Sequence, residues 1–497
     1  MSLLKKLAGE TAIYGGATII ARLLNYAMTP FYTYVVFAGR KAEFGTVSEI
    51  FAYTGFLIIL FTYRMETGFF RFAKDKEQEQ RVFATTATQL LLTTPIIVGT
   101  LIAFSSQIAD WIAYPEHPDY VVYVAMILGL DALCAIPFAR LRLQGRPVRF
   151  AAIKIVNVVT NILANVFFLW LCPKLLTSGY TWVEAIYTPG YDVGYVFVSN
   201  MIASGVTLLL LLPHYLKVQL RYEWPLMRRV LSYTLPLVPI GLAGMVNELL
   251  DRVLLKWLLP GGPEANLSEV GVYAANYKVA VLMTMFTMAF NYAAEPFFFN
   301  NADREDAKQL YGRVALAFVI VGCVVFVGIT GYLDVALLLV ESTYREGRII
   351  VPIVLMANLF LGLYYNLAVW YKLTDRTGFG AWVAISGALL TILLNVWLVP
   401  IYGYVVSAWA TLACYVFMTV VSYLLSRRYY PVEYPVGSMI FYLLVALVAY
   451  GIFFWLEYHS GITDTLRYVL NTIVVLAFMA MIYLRERKGL IRELRTT

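Results

Sequence analysis

The chain has 497 residues, of which 61% are hydrophobic and 14% charged, and its formal net charge is +7. Soluble domains carry roughly 25% charged residues, so this composition and the mean hydropathy of +0.71 exclude a soluble globular protein. Apolar runs long enough to cross about 30 Å of hydrocarbon as helices recur along the sequence. We therefore predict an all-α integral membrane protein.

Fourteen apolar runs, separated by charged or Pro/Gly-rich breaks, predict fourteen transmembrane helices. We place them near 11–37, 45–72, 83–107, 119–139, 150–172, 191–215, 230–259, 270–299, 310–332, 350–371, 379–400, 403–426, 437–458 and 466–484. The first run is too long for a signal-peptide core, so we expect it to be retained as a helix. Lys and Arg concentrate in alternate loops and both tails, which predicts cytoplasmic N- and C-termini and explains the positive charge without nucleic acid.

An internal repeat organises these helices. Setting 62–73 against 291–302 aligns Glu66 with Glu295, and setting 143–169 against 373–399 aligns Asn165 with Asn395. Two blocks at nearly one offset indicate a duplicated unit of six helices. Because six crossings is an even number, both copies have the same orientation, as in the parallel repeats of some transporters.

The repeat predicts three parts of the chain. Residues 1–217 form a first six-helix lobe, residues 218–426 form a second, and residues 427–497 hold two additional C-terminal helices and a tail. Facing lobes of this kind enclose a central cavity in alternating-access carriers. We expect the cavity here to be electropositive, for the reason given next.

Several predicted spans contain ionisable residues. A charge in the membrane costs about 2.5–3.5 kcal/mol on insertion scales, so it normally faces a bundle interior or a wet cavity. The candidate substrate-binding cations are Arg22, Arg64, Lys154, Arg252 and Lys278. Polar residues continue these positions at helical spacing, with Asn25, Asn157 and Asn161 as candidate cavity residues. The alternative for such a polar stripe is interhelical hydrogen bonding that holds the bundle together.

The stretch TYRMETGFFRF contains the densest charges beside a span. Residues two apart on a helix point in different directions, so Arg64 and Glu66 are predicted not to face one cavity wall. Glu66 has a counterpart in Glu295, whereas Ala293 replaces Arg64 in the second copy. The duplicated carboxylates are therefore predicted to be architectural, closing the inner face against a loop arginine, and Arg64 is the stronger substrate candidate.

The cations suggest the chemistry of the substrate. A guanidinium binds phosphate oxygens in pairs and keeps its charge when desolvated, as a carrier of a diphosphate head group requires. Glu248 and Asp251 are the carboxylates predicted to couple transport to Na⁺ or H⁺, and the membrane potential is the alternative driving force. The sequence has no GxxxxGK[ST] loop and no metal-ligand spacing, so we expect a transporter without catalytic residues, metal or cofactor, and not an enzyme.

A family resemblance rests on three segments: LKKLAGETAIYGGATIIARLLNYAMTPFYT, EFGTVSEIFAYTGFLIILFTYRMETGFFRF and GLYYNLAVWYKLTDRTGFGAWVAISGALLTILLNVWLVPIYGYVVSAWATL. They resemble the bacterial polysaccharide flippases of the multidrug, oligosaccharidyl-lipid and polysaccharide (MOP) exporter superfamily. The resemblance implies a V-shaped carrier of fourteen helices in the bacterial cytoplasmic (inner) membrane. Its cargo would be an undecaprenyl-pyrophosphate-linked oligosaccharide moved to the outer leaflet by alternating access.

The resemblance also implies roles and partners. Arg22 and Arg64 would bind pyrophosphate and Glu66 would act in a gate, while Lys278 is the only cation of the eighth helix and Arg252 a substitute for it. A monomer working beside glycan polymerase and assembly proteins is expected. Three alternatives stay open: a lipid II flippase for peptidoglycan synthesis, a multidrug/cation antiporter, which would need an acid-rich cavity, and a membrane scaffold without transport.

Overall fold

The computed structural model describes residues 16, 19–73, 76–216, 218–219, 221–302, 304–459 and 461–494, and the regular structure within these ranges is helical. The first predicted span begins at residue 11, so its start lies outside the described residues. An apolar segment in lipid is expected to form a helix, because a helix satisfies its backbone hydrogen bonds within the segment itself.

The helices follow one another with short connections. In chain order they are α1 (19–30, continued by a π-helical segment Phe31–Val36), α2 (Lys41–Thr62), α3 (Met65–Phe72), α4 (Lys76–Ala103), α5 (Ser105–Trp111), α6 (Pro118–Leu143), α7 (Pro147–Val166, continued by a π-helical segment Phe167–Leu171), α8 (Cys172–Thr177), α9 (Asp192–Leu216), α10 (Trp224–Thr234), α11 (Leu237–Leu258), α12 (Pro263–Asn300), α13 (Ala307–Gly331), α14 (Leu333–Ala336), α15 (Ile350–Leu373), α16 (Thr377–Tyr402), α17 (Val405–Tyr429), α18 (Val436–Tyr458) and α19 (Asp464–Leu494). Short 3₁₀ segments lie at Thr181–Ala185, Leu337–Leu339 and Ser342–Ile349.

The multi-pass character predicted from composition is confirmed. Among the described residues, eleven helices are long and apolar enough to cross a membrane, or up to twelve if α10 and α11 form one span bent by 41°. Helices α1 and α12 occupy the first and eighth predicted spans but are not among these eleven. The predicted count of fourteen is therefore not confirmed.

The chain divides into two compact units. The first extends to Ala275 and also includes Glu341–Tyr344 and Ala384–Ser407. The second comprises Asn276–Val340, Arg345–Val383 and the chain from Ala408 onward. In the first unit α6 packs against α2, α4, α7 and α9, and in the second α13 packs against α15, α18 and α19.

Two glycines let helices of the first unit approach closely. A Cβ atom on Gly45 of α2 would lie 2.0 Å from the Leu267 carbonyl oxygen of α12, and one on Gly271 would lie 2.0 Å from the Lys41 carbonyl oxygen. Small residues at a crossing let two backbones touch, which is the main route to tight helix packing in membranes. The first turns of α2 are therefore held against α12.

The other end of α2 is broken rather than continued. Tyr63 and Arg64 adopt left-handed backbone conformations with φ of 48° and 57°. For residues other than glycine this costs roughly 1–2 kcal/mol each. Helix α3 begins at once and buries Met65 and Phe69 completely in a cluster with Phe83. The burial of α3 holds the break in place.

Candidate functional site

A cavity of about 430 Å³ lies inside the first unit, among α2, α3, α6, α7, α9 and α11. Its ionisable lining consists of Arg64, Glu66, Asp131 and Lys154, and Asn157 adds an amide. Three of the predicted substrate-binding or cavity residues, Arg64, Lys154 and Asn157, are thus brought together. Apolar residues and further polar residues, among them Asn200 and Ser204, complete the wall.

Arg64 and Glu66 line the same cavity, so the prediction that they could not share a wall is wrong. That prediction assumed one continuous helix, on which residues two apart diverge. The left-handed pair at Tyr63 and Arg64 interrupts the helix between the two charges. Arg64 also approaches α11, because a Cβ atom on Gly241 would lie 3.3 Å from the Arg64 Nε atom.

Lys154 of α7 and Asp131 of α6 are the charges contributed by the opposite side of the lining. The Lys154 ammonium lies 4.4 Å from the centroid of the Phe138 ring. It interacts electrostatically with both Glu66 and Asp131. Asp131 was not among the predicted site residues. A signal for it exists, because it is an ionisable residue inside the apolar run VAMILGLDALCAIPF.

The charges of this lining balance. Arg64 and Lys154 are positive, Glu66 and Asp131 are negative when ionised, and the four share one cavity. The expected electropositive cavity is therefore not found among these residues. An anionic ligand here would meet two cations only together with two carboxylates.

Asn157 and Asn161 have different surroundings. The Asn157 side-chain amide donates to the Thr207 hydroxyl at 2.9 Å, at the edge of the cavity. The Asn161 side chain instead accepts a 2.9 Å bond from Asn165, whose own oxygen accepts from the Tyr32 hydroxyl at 2.9 Å. The second set joins α7 to the π-helical end of α1, which is the interhelical role left open for the polar stripe.

Other predicted residues lie outside the cavity lining. Arg22 and Asn25 are exposed on α1, Lys278 is exposed on α12, and Glu248 is exposed on α11. None of them belongs to the wall of this cavity. Of the predicted cations in the first unit, Arg64 and Lys154 line this cavity and Arg22 and Arg252 do not.

Arg252 is buried and engaged by its neighbours. Its Nη1 atom donates to Asp251 Oδ1 at 2.9 Å and to the Glu248 carbonyl oxygen at 3.0 Å. The Asp251 carboxylate also accepts from the Tyr273 hydroxyl at 2.6 Å. Arg252 thus bonds to the Glu248 backbone and to the Asp251 carboxylate. Arg252 and Asp251 neutralise each other where they lie.

Glu295 in the second unit forms an ion pair with Lys372, and both side chains are about half exposed. The repeat alignment sets Lys372 against Arg142, whose charge acts on Glu66. Each copy thus places a carboxylate near a basic residue in the last turn of a helix, α6 or α15. The architectural role of the duplicated carboxylates stays a prediction, and Glu66 also lines the cavity.

A second buried charge cluster in the first unit was not predicted. Glu49 and Lys256 form an ion pair of 3.1 Å in which both side chains are 0% exposed. The Lys256 ammonium also donates to the Ile112 carbonyl oxygen at 2.5 Å, and the Tyr114 hydroxyl donates to Glu49 at 2.5 Å. Burial raises the pKa of the Tyr114 hydroxyl well above its usual range, so it stays a donor. This cluster lies near the start of α2, whereas the cavity lies at its end.

Comparison with known proteins shows the fold. No family model and no curated protein matches the chain. The structure is similar to the lipid II flippase MurJ in an inward closed conformation, with a TM-score of 0.68, 14% identity, and coverage of 96% of this chain and 99% of that one. It is also similar to a MATE family multidrug resistance transporter of the MOP superfamily in an inward-facing conformation, with a TM-score of 0.58, 12% identity, and coverage of 84% of this chain and 94% of that one. For the outward-facing conformation of such a transporter the TM-score is 0.57 and the identity 13%, with coverage of 86% of this chain and 98% of that one. The chain has the multi-pass helical fold that these solved structures share.

Proposed function

We propose that this chain is a flippase that moves an undecaprenyl-pyrophosphate-linked oligosaccharide from the cytoplasmic to the outer leaflet of a bacterial inner membrane. The observation that carries the proposal is the cavity that places Arg64 and Lys154 together inside the first unit. The similarity to the lipid II flippase over nearly the whole chain supports a lipid-linked cargo. The proposal keeps the predicted lobes at 1–217 and 218–426, the C-terminal part at 427–497, and cytoplasmic termini.

The cavity suits a diphosphate head group. Arg64 offers paired donors for phosphate oxygens and Lys154 offers a point charge, which are complementary ways to bind the same group. Asn157, Asn200 and Ser204 add polar groups that can serve phosphate or sugar hydroxyls. A cavity of about 430 Å³ falls in the usual range of small-molecule sites. It would therefore hold the diphosphate and the sugar next to it, with the rest of the glycan and the prenyl chain elsewhere.

The carboxylates of the cavity link binding of the substrate to binding of protons, which would then move outward with it, so this linkage does not draw energy from an inward proton gradient. A diphosphate that enters beside Glu66 and Asp131 is bound more tightly when these are protonated, so substrate and protons bind together. Geometry favours this pair over Glu248 and Asp251, since Asp251 is occupied by Arg252 and Tyr273. The membrane potential assists any charge that remains, by about 2.3 kcal/mol per charge per 100 mV.

The test is transport in reconstituted vesicles. Flipping of an undecaprenyl-diphosphate glycan is followed by the accessibility of its sugar to an impermeant reagent. We expect Arg64→Gln and Lys154→Gln each to slow flipping by about tenfold or more, which corresponds to about 1.4 kcal/mol of lost interaction. Lys372→Gln is the matched control, because it removes an exposed cation in the second unit. Wild-type flipping by folded Arg64→Gln and Lys154→Gln proteins would contradict the proposal.

A cation antiporter is the second candidate, because Glu66 and Asp131 line the same cavity and multidrug transporters share the fold. For that function Asp131→Asn should abolish drug-dependent proton movement, whereas Arg64→Gln should leave it intact. The flippase predicts the opposite dependence on Arg64. Among flippases, binding of lipid II compared with other undecaprenyl-diphosphate glycans separates a peptidoglycan role from a polysaccharide role.

A further inference from the structure

A basic pocket outside the cavity suggests a second binding site. It has a volume of about 360 Å³ and lies in the first unit among the end of α3, the start of α4 and the face of α10. Three guanidinium groups line it, those of Arg71, Arg81 and Arg229. All three arginines are exposed, and so is Gln78, which shares the lining.

The arginines differ in how their charge is compensated. Arg81 forms a two-pronged pair with Glu223, at 2.7 Å and 3.2 Å. Arg71 and Arg229 pair with no carboxylate among the described residues. Their contacts are aromatic instead: Arg71 lies 6.0 Å from the Tyr233 ring centroid and Arg229 lies 6.0 Å from that of Phe72. Two guanidiniums are thus oriented by aromatic rings while their donors remain available to an anion.

The surroundings of the pocket belong to a membrane surface. Helix α10 buries Leu226, Met227 and Val230 on one face and exposes Arg228 and Arg229 on the other. It meets the next helix, α11, at a bend of 41°. Such an amphipathic helix beside a spanning helix is suited to lie at the level of the lipid head groups.

Exposed aromatic side chains mark the same level. Trp224 is 58% exposed and Tyr233 39% exposed, at the two ends of α10. Trp and Tyr concentrate where the polar and apolar parts of a bilayer meet. The pocket therefore opens where phospholipid phosphates are abundant, whereas a soluble anion would need no aromatic belt beside its site.

We infer that Arg71 and Arg229 bind the phosphate of an anionic phospholipid in this pocket, with Arg81 held in place by Glu223 as a third positive group. The ligand is a head group of the surrounding leaflet, separate from the cargo assigned to the cavity. Basic pockets at the ends of spanning helices are a recurrent way of recognising anionic lipids. Binding of a phospholipid phosphate to these arginines does not require the residues of the cavity to move.

The experiment is lipid titration of the purified full-length protein, read by native mass spectrometry. Phosphatidylglycerol is compared with phosphatidylcholine, and the variant is Arg71→Gln with Arg229→Gln. The matched control is Arg376→Gln with Arg428→Gln, two arginines that lie 5.1 Å and 5.5 Å from the Tyr429 ring in the second unit. We expect the variant to bind phosphatidylglycerol about tenfold or more weakly, with phosphatidylcholine binding unchanged and the control like the wild type.

Each other outcome overturns the inference. Equal loss in variant and control would mean diffuse attraction to a basic surface, without a site. Displacement of the lipid by inorganic phosphate at equal concentration would identify a soluble-phosphate site instead. Arg64→Gln separates this inference from the proposed function: it should slow flipping and leave phosphatidylglycerol binding intact. A melting temperature of the variant equal to that of the wild type shows that it is folded.

Discussion

The first unit contains two clusters of charged residues, and they are opposite in character. Near the start of α2 the Glu49 and Lys256 side chains are 0% exposed and bonded to each other. Near its end, four ionisable residues line a cavity of about 430 Å³. A charge inside a membrane protein therefore indicates a binding function only where a cavity beside it has space for a ligand.

The energetics of the two clusters differ for the same reason. Removing one member of a buried ion pair leaves the other charge without compensation, which typically costs 3–5 kcal/mol. Among the described residues the Glu49 Oε1 atom has no hydrogen-bond partner, so that carboxylate depends on its contacts with Lys256 and Tyr114. Charges that line a cavity can instead keep contact with water. Substitutions in the two clusters should therefore separate stability from transport.

The largest expected effect on stability is at the buried pair. Lys256→Met should lower the free energy of unfolding by about 3–5 kcal/mol, because Glu49 would be left as an unpaired buried charge. Lys154→Met, the equivalent change in the cavity, should lower it by less than about 1 kcal/mol. Thermal unfolding of both variants in one detergent checks the contrast. Equal melting temperatures would remove the distinction between the two clusters.

A double substitution sharpens this result. Glu49→Gln together with Lys256→Met leaves no charge stranded, so it should be more stable than Lys256→Met alone. A double variant as unstable as Lys256→Met would mean that lost packing of the lysine chain, not its charge, causes the effect.

Much of the fold was legible in the sequence. Hydropathy predicted the all-α membrane class. Residues that the internal repeat aligns also make the same local hydrogen bonds in the two copies. Asn165 donates to the Asn161 carbonyl oxygen at 2.8 Å, and its repeat partner Asn395 donates to the Thr391 carbonyl oxygen at 2.8 Å. Periodicity reports such local geometry directly, because both bonds span one helical turn.

The composition of the cavity was only partly predictable. Arg64, Lys154 and Asn157 were predicted to line a cavity between the two lobes, and they line a cavity inside the first unit. Glu66 joins them because Tyr63 and Arg64 adopt left-handed conformations that interrupt the helix. Neither these two residues nor their neighbours in the chain are glycine or proline, which would predict the interruption. The partner of Lys256 could not be read either, since Glu49 is 207 residues away in the chain. Tertiary contacts of this range require the packed structure.

Substitutions of Arg64, at the break after α2, should differ in stability by an intermediate amount. Arg64→Ala and Arg64→Gly both remove the guanidinium, so both should slow flipping equally. Glycine adopts φ of 57° without the steric cost that alanine has, so the glycine variant should be more stable by about 1 kcal/mol. Flipping rates and melting temperatures of the two proteins check this. If the alanine variant were the more stable, residue 64 would be helical. The left-handed break would then not explain why Arg64 and Glu66 line the same cavity.

The smallest expected effect on stability compares the duplicated carboxylates. Glu295 lies in an exposed ion pair with Lys372, which contributes less than about 1 kcal/mol, so Glu295→Gln should change neither stability nor flipping measurably. Glu66→Gln should also be nearly neutral for stability, yet it removes a negative charge from the cavity.

If binding of a diphosphate requires protonation of the cavity carboxylates, the wild type should gain affinity for inorganic pyrophosphate relative to Glu66→Gln as the pH falls below neutral. Protonated Glu66 no longer opposes the anion, whereas protonation of pyrophosphate itself affects both proteins alike. Glu66→Gln should bind more tightly at neutral pH and depend less on pH, and Glu295→Gln should follow the wild type. Parallel pH profiles for all three proteins would show that Glu66 belongs to the architecture in both copies, and that only the unduplicated Arg64, Lys154 and Asp131 distinguish the cavity.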